Sequence, residues 1–308
     1  MPRAPEVIVV GLGAAGSATL LALARRGVPC IGIDRFDPPH DRGSSHGHSR
    51  LIRLCYYEHA DYVPLLRESY RLWSELQSRT DAPVFRLTGG LYIGTEGSPF
   101  VAGSLQSARL HGLEHELLDR AGAAARFPQF VIRPDEVPFY EPTTGVLFPE
   151  NAIATTLAWA ISEPDGSAHY GFPVFPAERD GTVPGGAGFK VALHKAGEPT
   201  DPETVDRVVR PEEIRALAGF VQSRIPAGCN EDCELLETRV CLYTGTRDGH
   251  FLIDAHPDHN NVVVVSACSG HGFKFAPALG SAEADLAVDG RTKLPIEFLG
   301  WRAGCSMR

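Results

Sequence analysis

The chain has 308 residues, 43% hydrophobic and 22% charged, an ordinary globular composition with room for one large or two medium domains. A net charge of −9 argues against a nucleic-acid partner, no apolar run is long enough to span a bilayer, and a first strand starting near Met1 leaves no room for a secretory leader. Seven scattered cysteines, an odd number, do not look like a disulfide framework, so a cytoplasmic setting is expected.

Residues 7–10 (VIVV) are an unbroken apolar run, the pattern of a strand buried on both faces. Gly11, Gly13 and Gly16 follow as a G-x-G-x-x-G. The first allows a tight turn, the second lets a pyrophosphate approach the backbone, and the third lets helix and strand pack closely. Residues 17–26 are good helix formers, closed by Arg25, Arg26 and Gly27. A second apolar strand, 30–33, ends at Asp34, which is placed to accept the ribose hydroxyls of an adenine nucleotide. Together these predict a dinucleotide site; the plainer alternative is a βαβ unit with a glycine-rich turn. Cys30 reads as a small buried hydrophobe.

Pro38 and Pro39 break any regular element, and residues 43–47 form a small polar loop suited to lie against a ligand. Residues 62–79 predict a long amphipathic helix with Leu65, Leu66, Tyr70, Leu72, Trp73 and Leu76 on its apolar side. Residues 85–93 predict a strand pair around Thr88-Gly89-Gly90, and 104–111 and 121–126 predict helices. A short apolar stretch at 145–149 precedes a helix expected from Asn151. From Ile161 the style changes to a hairpin pattern, followed by a strand at 189–194 and a helix at 211–224. Residues 236–243 and 251–254 are strand-like, 261–267 predict a third buried strand, and 270–272 lead into a helix ending near Val288. Cys229 and Cys233, and the histidines at 250, 256 and 259, lack the spacing and ligand number of a metal site, so no metal is expected.

The runs CLYTGTRDGHFLIDAHP and NVVVVSACSGHGFKFAPALG resemble the C-terminal flavin-site segments of the monomeric sarcosine oxidase and N-methyl-tryptophan oxidase family, within the D-amino-acid-oxidase-like flavoproteins. The loop FDPPHDRGSSHGHSRLIR, the YGFPVFP and GFKVALH runs and the DPETVDR segment resemble the same enzymes, in order along nearly the whole chain. The resemblance implies an α/β fold in which an FAD-binding, Rossmann-like three-layer domain is interleaved with a mixed-sheet substrate domain. Residues 1–80 and 231–308, with part of 140–160, would form the FAD domain; 81–139 and 161–230 would form the substrate domain.

The resemblance further implies oxidation of an N-methyl amino acid to the primary amino acid, formaldehyde and hydrogen peroxide by a monomer that uses FAD and dioxygen. Cys241 matches the cysteine that attaches FAD covalently; the residues alone would read it as a buried strand cysteine. Arg53 and Lys274 match the pair that clamps the substrate carboxylate. Lys190 matches the lysine whose charge assists reduction of dioxygen. His194, Tyr170 and Tyr243 match residues lining the substrate cavity. Ser44, His46, Arg50, Gly270 and Gly272 join Gly11, Gly13, Gly16 and Asp34 as cofactor contacts.

Two departures stand out. Ala267 and Cys268 replace the family's glycine and phenylalanine. Between Ala160 and Ile161 the family carries several tens of further residues, on the order of half a domain, so the fold is expected to be internally truncated, with a sheet edge and apolar surface uncovered. Two other readings stay open: an FAD-poor remnant of a flavoprotein, and a nicotinamide-dependent dehydrogenase, which the opening βαβ unit alone would permit.

Overall fold

The computed structural model describes residues 4–38, 40–46, 49–148, 158–165, 167–172, 190–195, 197–226, 234–267 and 269–301. β1 (Val7–Val10) and β2 (Cys30–Ile33) pair in parallel, joined by α1 (Ala14–Arg25). Gly11 takes φ 92°, and a Cβ on Gly16 would run into the Gly11 carbonyl, so both glycines are required by the turn. One face of this ribbon packs on α1 through Gly32, whose missing Cβ makes room for Leu12 and Leu20. The expectation of a strand buried on both faces fails here. Ile8 (57%), Val10 (82%), Ile31 (47%) and Ile33 (49%) lie exposed on the other face, because among the described residues no layer covers it. Cys30 is correspondingly only half-buried.

β3 (Arg50–Ile52), β4 (Phe85–Leu87) and β8 (Gly145–Leu147) form a small antiparallel sheet with β8 in the middle. α2 (Tyr62–Gln77) packs its apolar side into the core; Leu65 and Leu66 are fully buried, each contributing roughly 1.5–3 kcal/mol of transfer free energy. The larger sheet has six strands in the order β11 (Lys190–His194), β10 (Ala168–Phe172), β9 (Ala158–Ser162), β5 (Gly90–Thr95), β7 (Glu136–Glu141) and β6 (Glu116–Leu117). It is mixed, since β5 and β9 run parallel and the other pairs antiparallel. The strands expected at 85–93 both form, but β4 and β5 join different sheets rather than each other.

The junction at Ala160 and Ile161 lies inside β9, not at a break. Both residues are buried in the middle of the sheet, where Ala160 faces Tyr92 and Tyr170 across the ladder. The helix expected from Asn151 falls largely outside the described residues, and its expected end at 158–160 is strand.

α3 (Pro99–His111), α4 (Arg120–Arg126) and α5 (Pro211–Arg224) match their expected places. Residues 236–243 are not a strand; they run without regular structure and pair with none of the described strands. β12 (Leu252–His256) and β13 (His259–Ser266) form a bulged hairpin whose outer half is exposed, so the strand expected to be buried at 261–267 is buried only at its end. A 3-10 turn, Phe273–Phe275, leads into α6 (Ala276–Asp289), which lies against α1. There Gly280 meets the Ala18 backbone, Thr19 donates to the buried Glu283 carboxyl, and Arg26 pairs with Asp285 (2.8 Å) and Asp289 (2.7 Å). Among the described residues no helix is long and apolar enough to cross a membrane.

Candidate active site

The first part of the site is the β1–α1 turn. Gly13 opens α1 with no side-chain cap, leaving the positive end of the helix dipole facing the turn. Ser45 Oγ accepts the Ala14 N–H (2.9 Å), and a Cβ on Gly13 would press on that hydroxyl at 3.1 Å. Asp34, at the end of β2, accepts N–H bonds from Leu12 (2.6 Å) and Phe36 (3.1 Å), which hold its carboxyl below the usual range. Its second-strand position is as expected, and it also shapes the glycine turn.

The second part is a cavity of about 130 Å³ between the six-stranded sheet, β3 and the turn after β13. Arg53 enters it just beyond β3, Tyr170 from β10, His194 from β11, and Gly270, Gly272 and Lys274 from the turn before α6. Ser44, Arg50, Cys241 and Tyr243 complete this set. That turn is tight: Ser269 (φ 36°) and Gly270 (φ 76°) are consecutive left-handed residues, and left-handed serine is uncommon. A side chain at Gly270 would meet the Tyr243 ring at 2.7 Å and the His194 ring at 3.0 Å. Tyr243 and His194 share a 2.8 Å hydrogen bond.

Charge is concentrated at one end. Arg53, 4% exposed, is ringed by Tyr56, Tyr57, Tyr92 and Phe100, each with its centroid 4.6–5.7 Å from the guanidinium carbon. Its Nη2 donates to both oxygens of Glu58, at 3.1 and 2.9 Å, while its Nε is buried with no partner. Burial raises the Glu58 carboxyl, but Arg53, with His271 and Lys274, outweighs it and the net shift is downward. Lys274, 7% exposed, donates to the His271 carbonyl (2.9 Å) and lies over the Tyr56 ring. Burial pulls its ammonium down to about 7, with Glu58 opposing and Arg53 and Arg50 reinforcing the fall. His271 Nε2 faces the Gly249 carbonyl at 3.0 Å, so that nitrogen carries the proton and Nδ1 accepts the Tyr56 hydroxyl at 2.5 Å. Burial lowers the His271 ring to about 4, which keeps it neutral.

Two expected residues, Lys190 and His46, lie outside the cavity wall. Lys190 Nζ donates to the carbonyl (3.2 Å) and hydroxyl (3.1 Å) of Ser49. His46 is 3% exposed with both ring nitrogens lacking a partner; burial, then Arg50, Arg239 and Arg207, hold its pKa down. Arg50 fixes the neighbouring loop by donating to the carbonyls of Ser49 (2.9 Å), Ser44 (3.4 Å) and His46. Cys241 is exposed rather than a buried strand cysteine, because its segment lacks a ladder partner. The three histidines do not gather: His250 bonds Tyr62, while His256 and His259 are neighbours across the hairpin. Among the described residues no group could hold a metal ion; the Cys229–Cys233 pair lies outside them. Sequence reading missed Glu58, Tyr56 and His271. The only signal for Glu58 was an acid five residues beyond Arg53 in a loop.

A parallel βαβ turn with a glycine-rich helix start, beside a cavity lined by cations and a cysteine, is the layout of a dinucleotide-binding oxidoreductase. A family model described as FAD dependent oxidoreductase matches residues 6–209 and 153–286. The chain is 33% identical to the monomeric sarcosine oxidase of Streptomyces avermitilis, over 94% of this chain and 95% of that protein. It is 28% identical to an N-methyl-L-tryptophan oxidase of Salmonella dublin, over 92% and 94%. The chain therefore belongs to the FAD dependent oxidoreductase family, in its sarcosine oxidase and N-methyl-tryptophan oxidase group. The Streptomyces alignment runs over 376 positions, more than the 308 residues available, so tens of that relative's residues have no counterpart and the fold is internally shortened. Two solved structures share the fold: NikD, an unusual amino acid oxidase essential for nikkomycin biosynthesis (TM-score 0.72, 19% identity, 98% of each chain), and L-proline dehydrogenase from P. horikoshii (TM-score 0.73, 20%, 97% of each).

The residues present fit FAD. The glycine turn offers the close backbone approach a pyrophosphate needs, and His46 has two buried nitrogens awaiting a partner. Cys241 stands exposed at the cavity.

Proposed function

We propose that this chain oxidises the N-methyl group of a secondary amino acid such as sarcosine with dioxygen and water, yielding the primary amino acid, formaldehyde from imine hydrolysis, and hydrogen peroxide. The observation that carries this reading is that Arg53, Lys274, His194, Tyr243 and Cys241 line one small cavity although they are scattered along the sequence. Bound FAD would supply the two-electron acceptor that the side chains lack. Gly11, Gly13, Gly16, Asp34, Ser44, His46, Arg50, Gly270 and Gly272 would hold it, and Cys241 would carry the covalent link.

The protein's share is binding and orientation. The unpartnered Arg53 Nε and the Lys274 ammonium are donors for one substrate carboxylate. The aromatic ring around Arg53 fixes its guanidinium and keeps water away. His194, Tyr243 and Tyr170 wall the reacting end. Lys190, held at Ser49, would place a positive charge where dioxygen gains negative charge. This reading takes the working unit to be a cytoplasmic monomer, with residues 1–80 and 231–308 holding the cofactor and 81–139 and 161–230 facing substrate.

The test is a peroxide assay of purified protein with sarcosine and N-methyl-tryptophan, together with intact mass of the denatured chain. Peroxide from either amine, and a flavin adduct lost in Cys241→Ser, support the reading. An adduct on Cys55, or a flavin-loaded chain inert toward every secondary amino acid offered, overturns it.

A further inference from the structure

Among the described residues, Glu58 is the one carboxylate on the cavity wall. Its carboxylate takes the two bonds that Arg53 Nη2 would otherwise give a ligand. A third wall cation, Arg50, has its guanidinium directed at the carbonyls of Ser44, His46 and Ser49. Two wall cations remain to meet a ligand: Arg53, whose Nε is buried with no partner and whose Nη1 is not taken by Glu58, and Lys274, whose bond in the wall is to the His271 carbonyl. One carboxylate has two oxygens and can take a bond from each of these two cations. A second carboxylate would find no free cation and would face Glu58 in a site shielded from water, where like charges side by side are strongly unfavourable.

We propose that Glu58 is a specificity-determining residue that restricts the cavity to ligands bearing a single carboxylate and turns away dicarboxylates. The proposal rests on the reading of Arg53 and Lys274 as the carboxylate site and deepens it: the substrate would be an amino acid with a neutral or cationic side chain. Glu58 also neutralises Arg53, so the buried guanidinium has a partner before substrate arrives. Tyr57 and Phe100, on the same wall, leave an apolar surface beside that carboxylate for the rest of the ligand.

Calorimetric titration of the purified chain with propionate and with succinate at pH 6.5, where Lys274 keeps most of its charge, tests this without needing turnover. The native chain should bind propionate at least ~10-fold more tightly than succinate. Glu58→Gln should bring the two within about 3-fold, mainly by tightening succinate. Glu58→Asp, which keeps the charge and guards against a folding defect in the amide variant, should retain the preference. An unchanged ratio in Glu58→Gln, or no preference in the native chain, overturns the proposal while leaving the carboxylate site standing. Propionate bound equally by the native chain and Arg53→Ala, or by neither, sinks the carboxylate site itself and Glu58's role with it.

Discussion

The two ends of this molecule are built to different standards. Around the cavity, a six-stranded sheet, a small second sheet and α2 bury a continuous core that includes Tyr56, Tyr62, Phe139, Phe251 and Phe275, and even the ionic groups Arg53 and Glu58 are paired. At the glycine turn, a two-stranded ribbon packs on α1, which lies against α6, and among the described residues its other face shows four β-branched side chains to water. The aligned sarcosine oxidase carries residues that this chain lacks. At the cavity side the shortened chain joins into β9 without interrupting the ladder. The shortened chain thus keeps its cavity-lining side chains together, while among the described residues one face of the ribbon is uncovered.

The sharpest way to break this contrast is at the cavity. Arg53→Ala removes one partner of a buried charge pair and should weaken carboxylate binding by about 2–5 kcal/mol. Calorimetry with propionate would show it, and unchanged affinity would mean the intact end is not the binding end. At the α1–α6 contact, Glu283 is buried, with Oε1 lacking a partner, and burial raises its carboxyl to about 7 against the Thr19 hydrogen bond. A raised acid favours the folded state in its neutral form, so stability should fall as pH rises from the ordinary carboxylate range through 7. Urea melts at pH 5 and pH 8 should show the loss in the native chain and a flatter profile in Glu283→Gln. If the two profiles coincide, this contact does not anchor the ribbon.

A smaller effect is expected at the sheet edge. Lys190→Met should slow reoxidation of the flavin by dioxygen about 10²-fold or more while leaving its reduction by substrate nearly unchanged, since charge helps only the first. Stopped-flow traces with equal losses in both half-reactions would make Lys190 a support for the Ser49 loop. The smallest effect concerns the ribbon. Val10→Thr with Ile33→Thr should change stability by no more than about 0.5 kcal/mol, as exposed sites do, yet raise solubility. A large destabilisation would show that this face is covered after all.

Much of the site was legible in the sequence because the motifs carry their own geometry. The glycine spacing encodes a turn, α2 repeats its apolar face every three or four residues, and SGHGFK places Gly270, Gly272 and Lys274 on one tight turn. What stayed hidden depended on partners remote in sequence. Nothing in 85–93 says that β4 will pair with β8 instead of β5. An apolar run at 236–243 looks like a strand, but a strand exists only where a ladder receives it. Glu58 went unseen because an acid in a loop has no periodicity, and its meaning comes from Arg53 folding back over it.

The contact of α1 with α6 has a temporal consequence. Thr19 and Glu283 are 264 positions apart, so the first helix made has to wait for almost the last. At ribosomal speeds that interval is on the order of tens of seconds. Throughout it, the βαβ unit can close its own hydrogen bonds, but the face of α1 that meets α6 has no cover. A nascent chain in that condition is a natural client for a holding chaperone, and the moment of release would be set by the emergence of residues 276–289.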